Sequence, residues 1–216
     1  MTEHISARDL FRAAYENRYT WDSHFPGYTA DVQFQKDGQT YTGKVTINRD
    51  LSFEVTDVAD EAAHKAIHGQ IWEIAVHRVR RPFEETHANN VFEYGEPDDT
   101  GAVELLVTGK AMGDRYKVRH NEVCLVHRHI HGVVVTINTH TSHQTESGYL
   151  SHRYDSVYHD VKTGEKKSES DFEDEYEKID GYYILSRRVI RSVEDGQPTT
   201  SEFAFTNVKL LAPVAV

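Results

Sequence analysis

The sequence holds one cysteine, two methionines, two tryptophans and five prolines in 216 residues. With Cys124 alone there is no internal disulfide framework, and a reducing compartment, the cytoplasm, is the expected address. Pro26, Pro82, Pro97, Pro198 and Pro213 are scattered and no Pro- or Ser-rich linker interrupts the chain, so a single domain over residues 1–216 is expected. No apolar run approaches the roughly 20 residues that cross a bilayer, so a membrane-spanning helix is not expected. The N-terminus lacks a basic stretch followed by an apolar one, and no export signal is expected. Positive charge is also short. Against 35 Asp and Glu stand 24 Lys and Arg, a net charge of −11. Nucleic-acid binding needs clustered cations, so no nucleic-acid partner is expected. The one basic cluster, Arg78, Arg80 and Arg81, reads as a solvated helix end.

The usual chemical signatures are missing too. Gly109-Lys110 lacks the preceding glycine and following Ser or Thr of a phosphate loop, and there is no Gly-x-Gly-x-x-Gly. Ser151, His152 and Asp155 supply the residue types of a triad. On a strand, however, adjacent side chains point to opposite faces, and no Gly-x-Ser-x-Gly elbow is present. His64 and His68 lie four apart without the Glu of a His-Glu-x-x-His motif. Glu169, Asp171, Glu173, Asp174, Glu175 and Glu177 include no Asp-x-Asp-x-Asp-Gly loop for calcium. Alternating with Phe172 and Tyr176, they read as a solvated edge strand protected by charge.

What is present is pattern. Ser6 and Asp9 resemble a capping box, and Leu10, Phe11, Ala14, Tyr15 and Tyr19 form a helical stripe, which predicts a helix over about residues 6–18. Three alternating stretches follow: Tyr28 to Phe34, Tyr41 to Ile47, and Leu51 to Val55. The first two are joined by an Asp37-Gly38 hairpin turn, and the three form a meander. From 58 to 87 the period changes. Ala63, Ile67, Ile71 and Ile74 make one stripe; Trp72, Val76, Val79 and Phe83 make a second, rotated one, with Pro82 ending or kinking the helix. A polar loop, Asn89 to Gly101, precedes about seven further strands punctuated by turn signals. Sequential strands pair as neighbours, and apolar helix faces need a partner. The expected fold class is therefore α+β: a large curved antiparallel sheet of about ten strands, an incomplete barrel, with two or three helices on its concave face.

That element order resembles the half-barrel of the lipoprotein-carrier superfamily, in which an incomplete antiparallel barrel closed by helices holds an acyl-binding cavity. Three segments are similar to an uncharacterised cyanobacterial and plastid family of about 220 residues. They are Ala7 to Trp21, Phe25-Pro26-Gly27-Tyr28, and Gly148-Tyr149-Leu150 through Tyr158. The first resemblance implies ligand binding between sheet and helices; the second implies no named activity.

Fourteen histidines are unusual, and they cluster. Strand periodicity sends His127, His129 and His131 to one face with Val123 and Leu125, and places Arg128 opposite with Cys124, Val126 and Ile130. His140, His143, His152 and His159 fall on the next strands. Three imidazoles on neighbouring strands can meet a transition metal, but no carboxylate or cysteine sits at ligand spacing, so these are candidates only and no metal site is assigned. Cys124 reads as a buried, inert thiol. Leu150, His152, Tyr154 and Tyr158 share a strand face, and Trp21 and Trp72 fall where a helix or loop should abut the sheet. Amphipathic aromatics in such places can line a lipophilic cavity with a few polar anchors. The expected function is that of a non-enzymatic binding or carrier protein for a hydrophobic or amphipathic small molecule, a lipid or a pigment. Trp21, Trp72, His152, Tyr154 and Tyr158 are the expected contacts. The rivals are a His-rich metal- or haem-associated enzyme and a protein-interaction scaffold. No cofactor and no partner protein is named by the sequence.

Overall fold

A computed structural model describes residues 5–130, 132–194 and 196–212. It contains twelve strands in one antiparallel sheet and three helices. The hydrogen-bonded order is β3-β2-β1-β12-β11-β10-β9-β8-β7-β6-β5-β4, an open order with β3 and β4 at its ends. The α+β class holds, with two more strands than the turn signals indicated. The chain forms two compact units, each assembled from two stretches: Met1–Tyr19 with Arg81–Asp171, and Thr20–Arg80 with Phe172–Val216.

The first unit begins with α1 (Ala7–Glu16). Ser6 caps it as the sequence implies: its Oγ accepts from the Asp9 N–H at 3.1 Å and donates to the Asp9 carboxylate at 2.6 Å. After α3 (Phe83–His87) come β4 (Asn90–Pro97), β5 (Val103–Gly109), β6 (Arg115–Arg119), β7 (Glu122–Ile130), β8 (Val133–Thr145) and β9 (Gly148–Asp160). The supposed polar loop from Asn89 is thus largely the strand β4. Phe92 is buried; Val91, Phe92 and Tyr94 are strand formers, but the Asn, Gly, Pro and acidic residues around them read as a loop. Phe11 and Ala14 of α1 pack with Phe83, Phe92, Leu105, Val107, Tyr116 and Val118. The register explains why. A cross-strand row runs Leu105–Tyr116–Val126–Ile137–Ser156 on this inner face, whereas Glu93–Leu106–Arg115–His127–Thr136–Val157 runs along the other.

The second unit holds β1 (Gly27–Lys36), β2 (Gln39–Asn48), β3 (Phe53–Thr56), α2 (Glu61–Arg78), β11 (Tyr182–Glu194) and β12 (Gln197–Leu210). The division between units falls within β10 (Lys166–Ile179). Asp37 and Gly38 both adopt positive φ (53° and 75°), the geometry of the two-residue hairpin turn predicted there. Ala63, Ile67, Ile71 and Ile74 of α2 are buried, so the first stripe is core. The second stripe dissolves. Trp72 is 52% exposed, and Phe83 belongs to α3, beyond the break that Pro82 imposes. β10 is interior in the strand order, not an edge, and its Asp174 is buried. The acidic run therefore does not lie on a solvated edge strand as expected. Alternation describes a strand's faces but does not reveal whether another strand lies beside it.

Candidate functional site

The most unusual chemistry lies in the second unit, where side chains of α2 reach β10 and β11. Arg188 of β11 and Asp174 of β10 form a buried, two-pronged ion pair: Nε to Oδ1 at 2.8 Å and Nη2 to Oδ2 at 2.6 Å. Gln70 reaches from α2 and accepts from Arg188 Nη1 at 3.0 Å. Two residues along β10, the Tyr176 hydroxyl donates to Asp174 at 3.3 Å and accepts from Arg78, the last residue of α2, at 3.2 Å. Burial pushes the Tyr176 phenol up to about 12, so it stays protonated. The Arg78 guanidinium also lies 5.4 Å from the centre of the Tyr176 ring, a cation–π contact. Of the cluster read from sequence as a solvated helix end, Arg78 is half-buried and tied to the sheet, whereas Arg80 and Arg81 are exposed.

Tyr28 is joined to this network through Trp21, which meets its ring and donates to the Arg78 carbonyl. Its side chain is 0% exposed, and its hydroxyl has no hydrogen-bond partner among the described residues. Burial drives its pKa well up, and the Arg78 charge pulls the other way. Trp21 and Phe25 wall it: Trp21 stacks on Phe25 at 4.0 Å and meets Tyr28 edge-on at 6.0 Å. The Trp21 indole N–H donates to the Tyr183 carbonyl at 3.2 Å, and its backbone N–H to the Arg78 carbonyl at 3.0 Å. Trp21 therefore belongs to a buried aromatic nest, whereas Trp72 on the same unit faces outward. The sequence singled out Trp21 but took Tyr28 for an ordinary inward strand residue. Only the lack of a partner for its hydroxyl distinguishes it, and no pattern of residue types reveals that.

In the first unit, His127 and His129 do share a face, with ring centres 5.6 Å apart. His131 lies outside the described residues. His127 Nδ1 pairs with the Thr136 hydroxyl at 2.8 Å, and burial together with Arg115 lowers its pKa. His129 Nδ1 is held by the buried Asp114 at 3.3 Å, and His140 Nε2 by Asp155 at 2.7 Å. The carboxylates that the sequence gave no sign of are thus supplied by other strands and turns. Around His140 and His152 the β8–β9 ladder slips twice. Thr139 opposes Tyr154 and Thr141 opposes Arg153, leaving His140 unopposed; Ser142 then opposes Ser151, leaving His152 unopposed. Paired bulges of this kind interrupt the alternation that would seat His152 with Tyr154 and Tyr158. The His152 ring instead lies 4.5 Å from that of His143. Tyr154 is half-buried and Tyr158 is 37% exposed. Ser151 and Asp155 are likewise separated by the bulge, and Asp155 serves Asn138 and His140. Cys124 is half-buried, and burial raises its thiol pKa, which fits an inert thiol.

The model of the family described as "Protein of unknown function (DUF3386)" matches residues 2–211. No curated protein matches the sequence. Among solved structures the chain is similar to a LolA superfamily protein from Nitrosomonas europaea. The identity is 11%, 97% of this chain and 95% of that one are covered, and the TM-score is 0.39. It is also similar to a putative outer membrane lipoprotein-sorting protein domain from Vibrio parahaemolyticus, with 11% identity, 97% and 94% coverage and a TM-score of 0.34. Among the described residues no helix is long and apolar enough to cross a membrane.

Proposed function

The chain belongs to the DUF3386 family, and on that footing we propose that it is a non-enzymatic binding protein for a hydrophobic or amphipathic small molecule. The observation that supports this reading is the hydroxyl of Tyr28, buried without a partner among the described residues inside an aromatic nest. Leaving a donor buried and unsatisfied costs about 1–3 kcal/mol. Small-molecule sites combine this kind of apolar and aromatic lining with a few polar groups that fix orientation. The ligand is a lipid or a pigment, met by Trp21 in this unit. Trp72, exposed on α2 of the same unit, is proposed as a further contact.

The test exploits the presence of only two tryptophans. In Trp72→Phe, Trp21 is the sole indole and reports from the nest. Titration with a long-chain fatty acid, a carotenoid and a tetrapyrrole should give a saturable change in Trp21 emission with at least one class. A flat response to all three, in protein whose circular dichroism matches the wild type, defeats the binding reading.

A further inference from the structure

We propose that the face of β7 turned away from the α1 core holds a divalent first-row transition ion, chelated by His127 and His129 with His159 as third ligand. The site is independent of the small-molecule reading, whose aromatic nest lies in the other unit. Residues two apart on a strand share a face, and these two rings stand 5.6 Å apart between centres. That spacing suits a shared ion. With each nitrogen about 2 Å from the metal, two ligating imidazoles have their centres about 5–6 Å apart. His159 comes in through the register. His129 opposes Val134 and Val134 opposes His159, so the two histidines flank one valine on the same face. Two strand spacings part their backbones by about 10 Å, a gap that two imidazoles with an ion between them can span.

The way each ring is held separates this pair from histidines that merely sit on a surface. His127 Nδ1 meets the Thr136 hydroxyl at 2.8 Å, and His129 Nδ1 meets the Asp114 carboxylate at 3.3 Å. A ring that donates from Nδ1 carries its lone pair on Nε2, the nitrogen left to ligate, and metal-bound histidines are oriented through their other nitrogen in this way. Asp114 is itself fixed: it is buried and accepts from the His129 backbone N–H at 2.9 Å and from Arg128 Nε at 3.4 Å. Gly113, at a φ of 91°, makes room for the ring, since a Cβ there would stand 3.1 Å from His129 Cε1. Arg115 opposes His127 on β6, but its guanidinium pairs with Glu104 of β5 at 3.7 Å. Burial, then Arg115, keeps the His127 pKa below its ordinary value, so the lone pair is available at neutral pH. A set of imidazoles suits zinc, copper or nickel and not calcium or magnesium.

The test is calorimetric titration of the full chain, free of any histidine tag and stripped with a chelator, with Zn²⁺. The wild type should bind one equivalent more than either His127→Ala or His129→Ala, and His159→Ala should keep that equivalent at lower affinity. Thr136→Val preserves shape but removes the acceptor behind His127, and should weaken the site roughly tenfold or more. His24→Ala, with a side chain 86% exposed, serves as the control and should bind like the wild type. Backbone amide spectra of the wild type read the site without any substitution: the signals of residues 127–129 and 134–136 should shift as Zn²⁺ is added. Four results overturn the proposal: no uptake of Zn²⁺, uptake that either ligand substitution leaves undiminished, an equal loss in His24→Ala, or amide signals that stay in place. Unchanged affinity in His159→Ala overturns the three-ligand site.

Discussion

At the scale of single residues, two buried groups have consequences of opposite kinds. Truncating a paired buried tyrosine hydroxyl usually weakens a protein. Tyr28 is the reverse case, because its hydroxyl is desolvated with no partner among the described residues. Tyr28→Phe is expected to raise unfolding stability by about 1–2 kcal/mol, the desolvation cost that the substitution lifts. Urea unfolding measures it; a loss of stability shows that the hydroxyl is satisfied after all. Gains in stability that cost function are common where a site holds strained or unsatisfied groups.

His87 is the second. Its ring sits among Phe11, Phe83, Phe92 and Tyr116, and its Nδ1 accepts from the Asn90 side-chain amide at 3.0 Å, which leaves the proton on Nε2. Burial first, then the charges of Arg128 and Arg8, lower its pKa from 6.5 to about 4. The unfolded chain therefore takes up this proton at a higher pH than the folded one. Stability from this group is complete above pH 6.5 and is lost as pH falls toward 4, by at most about 1.4 kcal/mol per unit. Comparing wild type with His87→Gln isolates the effect among fourteen histidines. The wild type should lose stability between pH 7 and 5 more steeply than the variant, and parallel curves would falsify the assignment.

At the scale of elements, α2 carries the clearest link from sequence to stability. Ile71 is fully buried in a stripe with Ile67 and Ile74, and Ile71→Ala is expected to cost about 2–5 kcal/mol in denaturant unfolding. A loss below about half a kilocalorie means that the stripe is not core. This stripe was legible because a 3.6-residue period is a local property, as were the Ser6 cap and the Asp37-Gly38 turn. What was not legible depends on neighbours distant in sequence. Asp174 looks like one more surface acid among its flanking glutamates, and only the arrival of Arg188 on the adjacent strand makes its burial tolerable. Arg78 looks like a solvated helix end until Tyr176 lies against it. Likewise His140 and His152 follow strand alternation on paper, and a double slip in register sets them apart.

The Arg188–Asp174 pair yields a sharper expectation. Arg188→Met leaves a buried carboxylate without its cation and should destabilise by about 3–5 kcal/mol. Adding Asp174→Leu removes the orphaned charge, so the double variant should recover much of that loss. A double-mutant cycle in urea reads the coupling. If the two losses simply add, the pair contributes nothing and the network around Arg78 is not organised by it.

At the scale of the whole molecule, the strand order makes the second unit depend on both halves of the chain. β1 sits between β2, its immediate successor, and β12, the last strand, with Val32 opposite Phe205 and Phe34 opposite Phe203. The stacked Phe34 and Phe203 rings, 4.5 Å apart, are buried. Closing so long a loop costs little more than closing one half its length, since the penalty grows only with the logarithm of length, but it delays the pairing. Until β12 arrives, β1 and β11 each present an open edge, and Phe34 and Val32 lack the partners that bury them. Deleting residues 197–212 should therefore expose the nest, and in the Trp72→Phe background Trp21 emission should shift to that of a solvated indole. A synthetic peptide of residues 197–212 should restore native emission by adding the missing strand, as edge strands accept extended peptides through main-chain hydrogen bonds. If the truncated chain keeps native Trp21 emission without the peptide, the Trp21–Tyr28 site is built by the N-terminal meander and α2 alone, and β12 merely covers its edge.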